Sequence, residues 1–288
     1  MSTQSIVIVT DSTADIPKDI REKLGIEMVP LSVHFGDDSY LDNVTLSPAQ
    51  FYEKLPEAKE LPKTSMPSPG DYYEIFKRHV DEGRQVISIN LSSALSGTHQ
   101  SAVLAQSMLE GEGDVTVIDS KSASYGYGLL VVEAAEMARS GASKEDILAR
   151  IEELRSKTGL YFLVETLEYL HKGGRIGRAS ALFGTLLNIK PILTIDDEGY
   201  VNSIDKARGQ KRAYARIVEL LEADFANVPV DMAAVTTPGR TEMADELIAI
   251  LKEKFQIRKY THSDIGPVIG THAGPGTIGI FLIPSKEQ

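Results

Sequence analysis

Short apolar runs rich in Ile and Val recur along the chain, and each leads into a polar stretch that opens a helix-period pattern. Ser5–Thr10 (Ser-Ile-Val-Ile-Val-Thr) reads as a buried strand, because β-branched side chains suit an enclosed pleated surface. Asp15-Ile-Pro17 signals a helix start and Gly25 its stop. Ile26–Phe35 reads as a second strand, closed by a turn at Gly36-Asp37-Asp38. Ser47-Pro48-Ala-Gln50 has the serine–glutamine spacing of a capping box, with Pro at the first helical position, and predicts a helix over Pro48–Leu55. Leu55–Lys63, with Pro56 and Pro62, reads as a polar connector, and Ser68 caps a helix that runs to about Asp81.

Arg84–Leu91 and Val115–Asp119 read as the next strands, with a helical spacing of Ala102, Val103, Ala105, Gln106 and Leu109 between them. An apolar helix is expected over Tyr127–Arg139, and Ser143 caps another through Arg155. The second half reads as a strand at Leu160–Val164, a short helix at Glu165–Leu170 and an apolar helix at Ala179–Leu187. A hairpin of Ile192–Ile195 and Tyr200–Ile204 turns through Asp196-Asp197-Glu198-Gly199. Gln210–Phe225 and Thr241–Phe255 are helical, while Val230–Thr236, Ile257–Thr261 and Ile278–Ile283 are strands. Alternating strands and helices predict an α/β fold. We expect two α/β domains: residues 1–158 with a Rossmann-like, mostly parallel sheet, and residues 159–288 with a mixed sheet and helices. A length of 288 residues suits two domains.

Composition narrows the function classes. A hydrophobic content of 42% and a charged content of 25% describe a globular chain able to bury a large core. No cysteine is present, which excludes disulfides, thiolate metal sites and cysteine catalysis and suits a cytoplasmic location. The N-terminus has no basic segment leading into an apolar run, so a signal peptide is not expected. No apolar run approaches the ~20 residues of a membrane span. A net charge of −11 argues against nucleic acid as a general partner.

Against that acidic background one stretch and two basic clusters stand out. Ile87–Thr98 passes from a strand pattern into Ser92, Ser93, Ser96, Gly97 and Thr98 and then into a helix. Unpaired amides at a helix start, hydroxyl donors and a glycine can together hold an anion; an ordinary N-cap with spare serines is the alternative. The strands ending at Thr10, Leu91 and Asp119 all deliver hydroxyl-rich residues to the edge where parallel sheets bind ligands. Lys172, Arg175 and Arg178 lie in one glycine-broken loop, and Lys206, Arg208, Lys211 and Arg212 form a second cluster. They read as solvated charges or as docking sites for an acidic partner or a phosphate. His272, between Gly270 and Gly274, reads as a functional histidine or as a turn histidine capping a carbonyl. Gly274-Pro-Gly276-Thr-Ile-Gly279 matches G-x-G-x-x-G, but a strand rather than a helix follows, so dinucleotide binding is rejected. No Walker A loop or zinc motif exists, and the six histidines are dispersed, so no metal is expected. Ser96, His272 and Asp11 supply the residue types of a serine esterase without its nucleophile-elbow motif.

Taken in order, Asp11-Ser12-x-Ala14-Asp15, Thr64-Ser65-x-Pro67-Ser68 and Ser93-x-Leu95-Ser96-Gly97-Thr98 resemble the DegV family. So do Glu165-x-Leu-x-Tyr-Leu-x-Lys172-Gly-Gly-Arg175-Ile176, Ile189-Lys190-Pro191-Ile192-Leu193 and Gly270-x-His272-x-Gly274-Pro-Gly276, and the likeness covers essentially the whole chain. The best-understood members of that family are the fatty-acid-binding subunits of bacterial fatty acid kinase. The resemblance implies a substrate carrier rather than an enzyme, with one acyl chain in an apolar tunnel. The apolar patterns at Gly128–Ala138 and Ala179–Ile189 read as helices that line such a tunnel or as ordinary core. The resemblance also implies a carboxylate held near Thr64, Ser65, Ser96 and Gly97, with His272 close by, and no cofactor beyond the fatty acid. A separate ATP-bound kinase would phosphorylate the carboxylate after docking at the Gly-Gly-Arg loop, here Arg175 and Arg178; Lys172 and Arg208 of the basic clusters are the further docking candidates. The acyl phosphate would pass to an acyltransferase of phospholipid synthesis, with room for transient membrane contact. His99 stands where relatives often carry Tyr. An esterase using Ser96 and a subunit for a small polyol or phosphate, by analogy with dihydroxyacetone kinase subunits, are the competing readings.

Overall fold

The computed structural model describes residues 5–184, 189–239 and 242–286. β1 (Ile6–Asp11) leads into α1 (Lys18–Leu24), followed by β2 (Glu27–Val29), β3 (Ser32–Phe35), β4 (Asp38–Leu41) and α2 (Pro48–Lys54). β5 (Lys63–Ser65), α3 (Pro69–Asp81), β6 (Gln85–Asn90), α4 (Thr98–Met108), β7 (Asp114–Asp119), α5 (Tyr125–Arg139) and α6 (Lys144–Lys157) come next. The remainder runs β8 (Gly159–Leu163), α7 (Glu168–Lys172), β9 (Ile189–Ile195), β10 (Val201–Arg208), α8 (Gln210–Phe225) and β11 (Val230–Thr236). It closes with α9 (Glu242–Lys254), β12 (Ile257–Asp264), α10 (Pro267–Ala273) and β13 (Ile278–Pro284).

The strands form three sheets, in the order β2-β1-β6-β7, β10-β9-β8-β13-β11-β12 and β4-β3-β5. The first is parallel throughout. The second is antiparallel except for β11 and β12. The α/β class and the parallel first sheet agree with the sequence pattern.

Period-two alternation decides the layering. Val7, Val9 and Val86 face Tyr72, Phe76, Ala102 and Ala105 of α3 and α4, while Ile8, Ile87 and Ile89 face α5. The same layer of α5 and α6 receives Ala233, Val235, Phe281 and Ile283 from the six-stranded sheet, whose other face sends Met232, Ala234, Ile280 and Leu282 into α8 and α9. Truncating a fully buried member such as Ile87 to Ala is expected to cost about 2–5 kcal/mol. A separate cluster joins the three-stranded sheet to α2 and α10 through Val33, Phe51 and Val268.

Several sequence expectations need correction. The single strand expected at 26–35 is broken at Pro30-Leu31, and β2 and β3 lie in different sheets. Pro30 has no N–H for a ladder, and the Leu31 amide goes instead to Ser12 Oγ, 3.0 Å away. The connector before Thr64 ends in β5, which pairs with β3 so that Thr64 faces Val33 across the ladder. The glycine-flanked stretch around His272 is a helix, with Pro267 at its first position. The apolar helix expected from Ala179 is a 3-10 turn over Gly177–Leu182, and residues 185–187 lie outside the described residues, as does the expected helix start at Thr241. The second basic cluster spans two elements: Lys206 and Arg208 are on β10, and Lys211 and Arg212 on α8. No helix among the described residues is long and apolar enough to cross a membrane.

Candidate functional site

A cavity of about 360 Å3 opens where the three sheets meet. Leu91, Leu95, Ser96 and Gly97 come from the loop after β6, Thr64 and Ser65 from β5, and Val268, Ile269 and His272 from α10. The six-stranded sheet supplies Leu160, Phe162, Ile195, Val235 and Phe281. These strand residues, not α5 or the stretch from Ala179 to Gly184, form the apolar wall, so the expected tunnel lining is corrected. Residues 128–138 fill the core between the sheets, and Ile189 opens β9.

The polar groups gather at one end. Ser96 Oγ accepts from the Thr98 amide at 3.3 Å and shares a hydrogen with Thr98 Oγ1 at 2.9 Å, which fixes it at the start of α4. A β-carbon on Gly97 would run into Met66 Sδ, so the missing side chain leaves the Met66 tip room beside the cavity. Thr64 Oγ1 lies 2.8 Å from Nε2 of His272. Nδ1 of that ring is buried and has no hydrogen-bond partner among the described residues. Burial, helped by the Arg175 cation, pushes the His272 pKa down to about 4, so the ring is neutral near pH 7. A β-carbon on Gly173 would collide with Nδ1, so the Gly-Gly-Arg loop can approach the ring only because this position is glycine.

Thus Thr64, Ser65, Ser96, Gly97 and His272 all line one cavity. Arg175, expected among the docking residues, joins them: it is half-buried, donating from Nε to Leu95 O at 3.0 Å and from a terminal nitrogen to Gly173 O at 2.7 Å. Lys172, Arg178 and Arg208 are exposed. Lys172 pairs with Glu168 at 2.5 Å, and Arg178 with Asp196 at 2.9 Å and Glu198 at 2.6 Å.

Of the three hydroxyl-rich strand ends, the two outside β6 serve structure. Asp11 accepts from the Leu91 amide at 2.8 Å, the Thr13 amide at 3.0 Å and Tyr127 OH at 2.7 Å, which pins β1 to the loop after β6. Burial raises its pKa. Asp119 is spent on Ser93 and on the Lys121 amide. Sequence reading missed Ser124, which lines the cavity while donating from Oγ to buried Asp15 at 2.5 Å. Its signal was the hydroxyl run that follows β7. Among the described residues no bond of the esterase kind appears: Ser96 turns to Thr98, His272 to Thr64, and Asp11 to β6 and α5. A long apolar cavity with hydroxyls, a helix start and one cation at one end suits an amphiphile bearing a single anionic group.

Comparisons with known proteins point the same way. The profile of the DegV family, described as uncharacterised proteins, matches residues 5–285. A DegV domain-containing protein of Halalkalibacterium halodurans is 41% identical over 276 residues, covering 96% of this chain and 97% of that one. A solved DegV family protein from Thermus thermophilus, described as binding fatty acid, superposes with a TM-score of 0.92 at 37% identity and covers 98% of this chain and 100% of its own. DegV of Bacillus subtilis, described as a fatty acid binding protein, gives 0.89 at 36% identity, covering 98% of this chain and 100% of its own. With the family profile spanning nearly every residue and the fold shared from end to end, the chain belongs to the DegV family.

Proposed function

We propose that this protein binds a long-chain fatty acid, tail in the apolar cavity and carboxylate at Thr64, Ser65, Ser96 and Gly97, beneath His272 and Arg175. The observation that carries the reading is the convergence of those residues on one cavity whose remaining lining is mostly apolar, with Leu, Ile, Val and Phe foremost. Arg175 already spends Nε and one terminal nitrogen on backbone carbonyls, so the carboxylate meets hydroxyls, the α4 amides and one off-axis cation rather than a bidentate clamp. Such a hold leaves a carboxylate oxygen open to attack on a phosphoryl group. We therefore assign the protein the role of carrier: a separate ATP-bound kinase forms the acyl phosphate, and an acyltransferase of phospholipid synthesis consumes it. The exposed Lys172, Arg178 and Arg208 support a docking face for the kinase. The mainly apolar wall weighs against a small polyol or phosphate ligand, and the Ser96–Thr98 pairing weighs against an esterase.

Calorimetric titration with saturated acids of increasing length tests the binding. Affinity should rise about 15-fold for each two carbons added, at ~0.8 kcal/mol per buried CH2, until the cavity is full. Affinity independent of length refutes the acyl cavity. Acyl phosphate formed from ATP by this protein alone refutes the carrier role.

A further inference from the structure

Met66 is the variable residue inside the Thr64-Ser65-x-Pro67-Ser68 motif, directly after β5. Its side chain crosses to the start of α4, where a β-carbon on Gly97 would run into Sδ and come within 3.3 Å of the terminal methyl. It lines the acyl cavity together with Thr64, Ser65, Ser96 and Gly97, the residues assigned to the carboxylate. Met66 is also 53% exposed, the most open of the described methionines. Met137 and Met232 are buried, and Met108, 48% exposed, stands at the far end of α4, about 16 Å from Gly97.

That combination has chemical consequences. Methionine is unbranched, with three rotatable bonds and a polarizable thioether, so an exposed one can turn its sulfur to solvent. The chain has no cysteine, and no thiol competes for an oxidant. Oxidation to the sulfoxide converts an apolar tip into a polar one and is reversible. At Met66 the new oxygen lies beside the donors of the carboxylate site. It accepts hydrogen bonds and gives none, while the Thr64 and Ser96 hydroxyls have one hydrogen each to give.

We propose that Met66 is a reversible oxidation site through which hydrogen peroxide weakens the binding of the fatty acid. A lone pair of Sδ attacks one peroxide oxygen, and the S–O bond forms as the O–O bond breaks. The sulfur gives up two electrons, and the departing oxygen takes both hydrogens and leaves as water. The sulfoxide oxygen then competes with the carboxylate for the hydroxyls and the α4 amides, and its dipole repels the anion. This inference rests on the fatty-acid reading above, and binding by the untreated protein keeps the two separable.

The test compares hexadecanoate binding before and after hydrogen peroxide, with peptide mass mapping of each methionine. Met66 and Met108 should oxidise ahead of the buried Met137 and Met232. The parent's Kd should rise about three- to tenfold in step with the Met66 sulfoxide, the effect of one weakened hydrogen bond. The A- and B-type methionine sulfoxide reductases together should return it. Met66→Leu, compared with itself, should keep its affinity through the same treatment, whereas Met108→Leu should lose affinity as the parent does. Saturating hexadecanoate should slow oxidation at Met66 and not at Met108. Equal losses in Met66→Leu and the parent, or an unchanged Kd once Met66 is fully oxidised, overturn the proposal. So does a Met66 oxidation rate that hexadecanoate leaves unchanged, since the sulfur then does not border the bound acid. Untreated protein that binds no hexadecanoate overturns the fatty-acid reading and this inference with it.

Discussion

Removing the Thr64 hydroxyl while keeping its shape, as in Thr64→Val, probes how the head group is held. His272 is neutral at pH 7, with Nε2 2.8 Å from Thr64 Oγ1 and a buried, unpartnered Nδ1 beside the Gly-Gly-Arg loop. We assign the ring proton to Nε2, because a proton on Nδ1 would be an unsatisfied donor facing the field of Arg175. His272 then donates to Thr64, and the Thr64 hydrogen is left to point at the carboxylate. Thr64→Val deletes one hydrogen bond to a charged acceptor, worth about 1.5–3 kcal/mol, or a roughly 10- to 150-fold rise in Kd for hexadecanoate. It also strands Nε2, lowering stability by about 1–3 kcal/mol. His272→Phe keeps the packing but frees the Thr64 rotor, and affinity should fall about three- to tenfold. Because His272 acts through Thr64, its replacement should cost almost nothing further in the Thr64→Val background. Calorimetry on the two single variants and the double variant reads this coupling. Equal losses from His272→Phe in both backgrounds refute the relay and put the imidazole on the ligand itself.

Burial pushes Asp42 up to about 7, so the unfolded chain loses this proton first: stability falls from about pH 4 upward, and the penalty is complete above pH 7. Asp42→Asn should therefore gain relative to the parent as pH rises through that window, by at most about 4 kcal/mol in urea unfolding; a pH-independent difference contradicts it. Gly173→Ala drives a β-carbon into the His272 ring and should abolish most acid binding, whereas Gly97→Ala meets only the flexible Met66 tip and should cost less than about threefold in Kd; the reverse order in titration would falsify this account of the loop. The Lys172→Glu, Arg208→Glu double variant should bind fatty acid within about threefold of the parent but be phosphorylated slowly by the kinase, and added salt should slow the parent likewise. Unimpaired turnover removes these residues from the docking face.

The layer order of the fold was legible because each strand carries its own alternation. Val7 and Val9 against Ile8 already announce a strand covered on both faces, and the Ser47 and Ser68 boxes form as their spacing requires. What failed were places where a non-local contact overrides the local pattern. Ser12 captures the Leu31 amide and ends a strand that apolar periodicity would continue. β5 is three residues long, too short for periodicity to register, and it exists because β3 offers an edge. The helix at Pro267–Ala273 hides behind glycines that permit close packing: a β-carbon at Gly270 would meet Tyr52 at 2.5 Å.

The polar part of the cavity lining was legible for a different reason. Hydroxyls crowded beside a glycine in one short stretch, and a histidine set between glycines, stand out in sequence, even when Thr64 and His272 are 208 positions apart and only the fold brings them together. The tail end was not, because Phe162, Val235 and Phe281 look like any core residues until the topology leaves a gap between them. Arg175 is the instructive middle case. A cation in a glycine-broken loop of an acidic chain reads as solvated, yet the loop folds back so that its guanidinium bonds Leu95 O and Gly173 O beside the carboxylate end. Those bonds join the segment carrying Ser96 to the segment packed on His272. Replacing Arg175 would loosen both halves of the head-group site and remove the charge that helps keep His272 neutral. A loss of phosphorylation in an Arg175 variant therefore cannot be assigned to docking. Of the four expected docking residues, Lys172, Arg178 and Arg208 lie outside the cavity wall, and variants at these three separate partner recognition from ligand binding.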